Sequence, residues 1–307
     1  MLPFVARRLW SGFLTLAALA TLTFFIMRLA PGGPFSRNRK ISPEVQANIE
    51  AAFHLDEPVW QQFGRYIWGI VRGDLGPSTR FRDYSVNDLI ASGLPYSLTI
   101  GFWAILVASL VGIGLGMAGA LRRNGWTDYA AGTVGVIGIA IPIFIIGPLL
   151  QLYFSVHLGW FPVGGMNAGW RSLVLPVLVL ALPNIAYISR LTRSSLIETM
   201  RENHVRTSRA KGIGPWLVMV RHTMTGAMLP VVAYLGPAAA ALITGSILIE
   251  TVFALPGIGR FFVDAALNRD YPLVMGITLV YGGFLIVFNL LTDLLRGWMD
   301  PRVRHEG

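Results

Sequence analysis

The residues that could carry chemistry in this 307-residue chain are few, and most catalytic patterns are missing. A loop that cradles nucleotide phosphates needs a lysine directly after a glycine. The only lysines, Lys40 and Lys211, follow Arg39 and Ala210, so the chain cannot hold ATP in that way. It has no H-E-x-x-H zinc pattern and no G-x-S-x-G nucleophile elbow. There is no cysteine, which excludes disulfides, thiolate metal sites and cysteine nucleophiles. The histidines (His54, His157, His204, His222 and His305) are scattered near expected loops and segment ends. No catalytic residue, metal site or cofactor is therefore expected.

One glycine motif does match a known pattern. Gly114-Leu115-Gly116-Met117-Ala118-Gly119 reads G-x-G-x-x-G, but the dinucleotide reading needs a strand before it. Here it closes an apolar run, where Gly112 to Gly116 also reads G-x-x-x-G, so close helix packing is the expectation. Gly132, Gly135 and Gly138 suit the same role in the next run.

The most basic stretch is ENHVRTSRAKGIGPWLVMVRH, Glu202 to His222. Leu191 to Ala210 is helix-permissive, and Arg209 and Lys211 fall where cations offset the helix dipole. Gly212 is a natural helix stop, and Pro215 restarts a helix at its first position. Trp216, Leu217, Val220 and Met224 form its apolar side. A basic loop of this kind either lies on anionic lipid or is a docking surface. The helix, glycine turn and second helix favour docking, with the small residues Ser208, Ala210 and Gly212 permitting close approach.

These residues are set among elements too apolar for a soluble domain. The chain is 54% hydrophobic and only 13% charged, with a mean hydropathy of +0.58, against about 25% charged in ordinary soluble domains. The net charge of +9 is assigned to cytoplasmic loops facing membrane lipid rather than to nucleic acid. Six segments are long enough to span: Leu9–Leu29, Tyr96–Leu121, Tyr129–Leu158, Ser172–Ile188, Met228–Ile249 and Leu273–Leu295. The fourth is the shortest. Pro142 and Pro148 are read as tolerated inside the third. The expected fold class is thus an all-α, polytopic membrane protein. Loop arginines put both termini inside, in the cytoplasm.

The chain divides into the N-terminus and first span (1–29), an external helical region (30–95) and a core (96–307) with the basic loop near 189–227. In the external region, Val45, Ile49, Ala52 and Phe53 share one helical face, and Trp60, Phe63, Ile67 and Ile70 another that ends at Gly73. A small helical appendage on the outer membrane face is expected. The outer stretch TVFALPGIGRFFVDAALNRDY is too apolar for a free loop, so it turns at Leu255-Pro256-Gly257 and lies in the interface or folds into the bundle. The polar residues of the last spans, Asn184, Ser246, Glu250 and Asn289, are candidates for a translocation pathway. Glu250 either faces a cavity or anchors at the interface. No buried acid–base series marks an ion-coupled carrier.

The stretch RTSRAKGIGPWLVMVRHTMTGAMLPVV resembles the cytoplasmic coupling loop of ABC importer permeases, in the dipeptide/oligopeptide branch. Gly212 matches the glycine of that family's Glu-Ala-Ala…Gly motif, while Arg206-Thr207-Ser208 stand where Glu-Ala-Ala would be. The Arg-Thr-x-Arg-Ala-Lys-Gly form typical of the peptide branch is present. LPGIGRFFVDAALNRDYPLV, RGDLGPS, IPIFIIGPLL, GWFPVGG and DPRVR are similar to the family along nearly the whole chain. SPEVQANIEAAFHLDEP and FRDYSVNDLIASGLP resemble B-type subunits of oligopeptide permeases. The resemblance implies a type I ABC importer permease fold and a place in a bacterial-type inner membrane. It also implies a second permease subunit, cytoplasmic ATPase subunits, an external binding protein and a peptide substrate. By the same resemblance Arg206, Thr207, Ser208, Arg209, Ala210, Lys211 and Gly212 would dock the ATPase. The alternatives are an ion-coupled transporter or channel, a membrane-embedded enzyme, or an importer of dipeptides, nickel chelates or glutathione.

Overall fold

The computed structural model describes residues 2–29, 56–81, 83–126, 128–129, 132–133, 138 and 140–299. Among them all regular secondary structure is helical, apart from one isolated bridge between Pro77 and Ser85. In chain order the helices are α1 (Leu2–Leu29), α2 (Val59–Arg72), α3 (Val86–Leu121), α4 (Ile143–Leu150), α5 (Arg171–Thr199), α6 (Asn203–Ala210), α7 (Pro215–Val218), α8 (Met224–Val252), α9 (Ile258–Asn268) and α10 (Tyr271–Met299). Among the described residues five helical stretches are long and apolar enough to cross a membrane: α1, α3, α5, α7 continued into α8, and α10. The third expected segment runs over residues that are not described; its described part is the shorter apolar stretch Ile143–His157. The expected helix near 42–55 likewise lies outside the described residues.

Several boundaries differ from the expectation, each for a local reason. Helix α3 starts at Val86 rather than Tyr96 because Ser85 and Asp88 form a reciprocal capping box. Its 36 residues make a rod of about 54 Å, with Pro95 accommodated inside. Pro142 does not sit within a helix. It precedes α4, and its carbonyl accepts from the Ile145 and Ile146 N–H groups, where a missing proline N–H goes unnoticed. Helix α5 is not short, running past Ile188 to Thr199.

That extension of α5 is held by glycines of α3. A Cβ on Gly112 would meet Ile188 Cβ at 2.9 Å, and one on Gly116 would meet the Ser189 carbonyl at 2.6 Å. The G-x-x-x-G stretch is therefore a helix-packing surface. Gly138 packs against the Leu182 carbonyl in the same way, whereas a Cβ on Gly132 would meet nothing. The largest buried cluster joins α3, α5 and α8 around Ile100, Val179, Leu180, Ile188, Leu242 and Ile249.

The outer elements fold onto this bundle. Gly73, at φ +73°, stops α2 as expected. Phe63 and Tyr66 pack on Phe24 of α1, while Trp60 points away at 74% exposure rather than joining the buried stripe. The apolar stretch after α8 turns at Ala254 (φ +50°) and returns into the bundle as α9, burying Ile258, Gly259 and Ala265. The buried Asp270 carboxyl, at the start of α10, accepts from Ser78 Oγ and from the Thr79 and Arg80 N–H groups. This ties the segment before α3 to the bundle.

Candidate functional site

The basic stretch folds as a hairpin of two short helices. One long helix was expected from Leu191 to Ala210, but the chain turns at Met200–Glu202 and restarts as α6. Lys211 caps α6, with its N–H on the Thr207 carbonyl at 3.2 Å. Gly212 follows at φ +79°, its N–H on the Arg209 carbonyl at 2.9 Å, a left-handed stop that glycine adopts without strain. Pro215 opens α7 at its first turn, as expected. A π-helical turn, Met219–Thr223, then carries the chain into α8.

One face of the hairpin is anchored and the other is open. His204 Nε2 lies 3.0 Å from the His222 carbonyl, and Nδ1 lies 3.2 Å from Glu202. Val205, Ser208, Val218 and Met219 are buried. Met219 joins Leu196, Ala120 and Ala227 in a cluster edged by Met117, Met200, Met224 and Met228. Ser208 is thus turned inward, its hydroxyl on the His204 carbonyl, and contributes little exposed surface. Arg206, Thr207, Arg209, Ala210, Lys211 and Gly212 are exposed. None of the three cations has an acidic partner among the described residues. Trp216 and Leu217 lie exposed beside them. The result is a cationic knob with an apolar shoulder, fixed to the bundle by side chains that face away from it.

A second brace lies on the same side. Arg193 of α5 holds Asp128 through two hydrogen bonds, the Nη2 one at 2.7 Å, packed against Gly119. The guanidinium holds the Asp128 carboxyl below its ordinary range.

Ser246 and Glu250, two of the pathway candidates, are brought together at full burial. Ser97 Oγ of α3 and Ser246 Oγ each lie 2.6 Å from Glu250 Oε1. Oε2 accepts from the Gly259 N–H at 2.8 Å and the Arg260 N–H at 3.2 Å, while the Ile258 N–H donates to Ser97. The first N–H groups of α9 are therefore capped from two other helices, with the acidic group at the positive end of the helix dipole. A Cβ on Gly257 would meet the Glu250 carboxyl carbon at 2.3 Å, and one on Gly259 would meet Oε2 at 2.8 Å. The glycines of LPGIGR leave room for this carboxyl group. Both carboxylate oxygens of Glu250 are thereby hydrogen-bonded at full burial.

Asn184 is engaged elsewhere. It accepts from Tyr234 Oη at 2.8 Å, and the Tyr234 ring stacks on Tyr187 at 4.2 Å. Tyr187 is exposed and Asn184 half-buried, near the middle of α5. Asn289 is half-buried on α10. Neither tyrosine was singled out from the sequence, although Tyr187 stands three residues from Asn184, one helical turn on the same face. Ser97 was missed as well; the signal available was a small polar residue within an apolar run.

Comparison with known proteins covers the chain from end to end. The family model described as "Binding-protein-dependent transport system inner membrane component" matches residues 110–305. Its N-terminal companion matches residues 1–84. The oligopeptide transport system permease protein OppB of Haemophilus influenzae is 44% identical over 306 residues, covering 99% of this chain and 100% of the relative. OppB of Escherichia coli K12 matches equally. The dipeptide transport system permease protein DppB of Bacillus subtilis is 42% identical, covering 99% and 98%. Among solved structures, an inward-facing form of the MetNI methionine ABC transporter superposes with a TM-score of 0.58 at 18% identity, over 69% of this chain and 96% of that one.

Proposed function

The chain belongs to the binding-protein-dependent transport system inner membrane component family, and from that premise we propose that it forms one half of the translocation pathway of an ATP-driven oligopeptide importer. It is a multi-pass permease subunit of type I importer fold and carries no catalytic function of its own; hydrolysis is the work of partner subunits. The carrying observation is the full-length identity to oligopeptide permeases. A dipeptide cargo is the second reading, because the identity to DppB is nearly as high.

In this reading the α6–α7 hairpin is the lever. Arg206, Arg209 and Lys211 present unpaired charge to an acidic groove on a cytoplasmic ATPase subunit, Thr207, Ala210 and Gly212 allow close approach, and Trp216 fills an apolar pocket. Ser208 and His204 keep the lever stiff from behind. Movement of the docked hairpin passes into α5 and α8, which it joins, so closure of the ATPase pair becomes a change of access between helices. Asn184, with Tyr187 and Tyr234, offers hydrogen-bonding groups and ring faces to a peptide backbone. Asn289 is a further pathway candidate. Glu250 and Ser246 serve this machine by bracing α9. A second permease completes the pathway, an external binding protein delivers the peptide, and both termini lie in the cytoplasm.

The test is purification of the chain in mild detergent with whatever accompanies it. A second permease and ATPase subunits should appear, with ATP hydrolysis stimulated by peptide-loaded binding protein. Lys211→Glu should abolish that association and peptide uptake while membrane insertion continues. Normal uptake by this variant would remove the docking assignment.

A further inference from the structure

A cavity of roughly 350 Å³, apolar over much of its wall but edged by charged side chains, lies where the C-terminal ends of α1 and α2 meet the start of α10. It is not used by the transport reading above. Three arginines line it, Arg28, Arg65 and Arg72, together with Asp74. One of these charges is already paired, Arg65 with Glu57 at 2.6 Å, while the Asp74 carboxylate accepts the Gly76 N–H and keeps its charge. Arg28 and Arg72 form no ion pair among the described residues, so the lining keeps an excess of positive charge over Asp74. Each stacks on a ring, Arg28 over Phe24 at 5.4 Å and Arg72 over Trp68 at 4.6 Å, and neither has a carboxylate partner among the described residues. Guanidinium groups held in place by rings, with their N–H forks unused, suit an oxyanion.

Tyr66 supplies a third group. It lines the cavity, and its buried hydroxyl has no hydrogen-bond partner among the described residues. A buried donor left unmade is costly, so an absent acceptor is the natural completion. Burial also pushes this phenol up to about 12, which keeps it a neutral O–H donor at any physiological pH.

The surroundings identify the source of the anion. Phe24, Leu75 and Met275 give the same cavity an apolar lining. Helix α2 exposes Trp60, Trp68 and Val71, the pattern of an amphipathic helix lying in the headgroup layer. We propose that this cavity binds the phosphate of a membrane phospholipid, with Arg28 and Arg72 as its cations and Tyr66 Oη as its neutral donor. The lipid fastens α2 to α1 and α10 at the membrane surface. Only the choice of leaflet, the outer one, rests on the orientation proposed above.

The experiment uses the full chain in its purified complex, stripped of lipid in detergent and then supplied with phosphatidylglycerol or with a phosphate-free galactosyl diacylglycerol. Retained lipid is counted by native mass spectrometry and protection by thermal unfolding. Phosphatidylglycerol should be retained and should raise the melting temperature, and the galactolipid should do neither. Arg28→Gln with Arg72→Gln should weaken retention about tenfold or more, as expected for two charge-assisted contacts, and Tyr66→Phe should weaken it by a smaller factor. Equal retention of the two lipids, or retention unchanged in the variants, would overturn the site. Equal protection by inorganic phosphate alone would overturn the lipid as its source. Should the double variant not fold, Tyr66→Phe and the two-lipid comparison on the native chain still decide. Both lipids reach the site from either side in detergent, so a wrong orientation cannot mimic failure.

Discussion

At the scale of single residues, the largest expected effect on stability belongs to a carboxylate buried between three helices. Glu250 takes hydrogen bonds from Ser97, Gly259 and Arg260, with Ser246 Oγ also in reach, at full burial. Glu250→Ala would leave those donors unmet in an apolar interior and should destabilise by about 3 kcal/mol. Thermal unfolding in detergent measures this, and a change under about 0.5 kcal/mol would refute the bracing role. Gly212 tests docking more cleanly, because a Cβ there meets nothing in this chain and only the left-handed backbone resists it. Gly212→Asp should fold, losing about 1 kcal/mol, yet lose ATPase-coupled uptake; full uptake would mean no partner approaches this glycine. Asp128 gives a pH signature. Its carboxyl is held below the ordinary value by Arg193, so its stabilisation is complete above the unfolded value of about 3.9 and is lost as pH falls through the folded one. Asp128→Asn should melt below wild type near neutrality, by about 1 kcal/mol, and the two curves should converge in acid. A gap that persists there would assign the effect to something other than the ion pair.

At the scale of elements, glycine spacing decides how closely helices approach. Gly112, Gly116 and Gly119 of α3 face α5 or its Asp128–Arg193 brace, whereas Gly114 faces open space. The match to a dinucleotide motif is thus a by-product of a helix with one small-residue face. Gly116→Ala would place a Cβ 2.6 Å from the Ser189 carbonyl and should cost about 1–3 kcal/mol. Gly114→Ala should leave stability unchanged or raise it. Equal effects of the two, read by unfolding in detergent, would mean that α3 and α5 do not pack as described. The break at Met200–Glu202 has the same origin in packing. Leu196 and Met219 are buried in one cluster, which requires α6 to leave the axis of α5. No proline or glycine announces that turn in the sequence.

At the scale of the whole molecule, the arginine distribution predicts which end of the bundle meets the cytoplasm. The absence of cysteine makes this directly measurable. A cysteine placed at exposed Trp60 should react with an impermeant maleimide in intact cells, and one at exposed Lys211 only after permeabilisation. The reverse pattern would invert the topology and place the docking hairpin outside. The ends of the bundle are also closed differently. One is fastened by Arg8 on Asp293 and by Arg193 on Asp128. The other is fastened by the buried Asp270 and Glu250 networks.

The sequence by itself determined the all-α membrane architecture, the helical stop at Gly73, the restart at Pro215 and the basic loop as the feature to explain. These follow from composition and from backbone rules that act within a few residues. Tertiary structure decided the rest: that Ser208 turns inward, that Glu250 caps α9, that Tyr66 and two arginines converge on one cavity, and that α5 outruns its apolar core. Those outcomes depend on partners far apart in the chain, such as Ser97 with Glu250 and Gly116 with Ser189. Whether a polar group is buried, and what satisfies it there, is fixed by the packing of whole helices, which no local window contains.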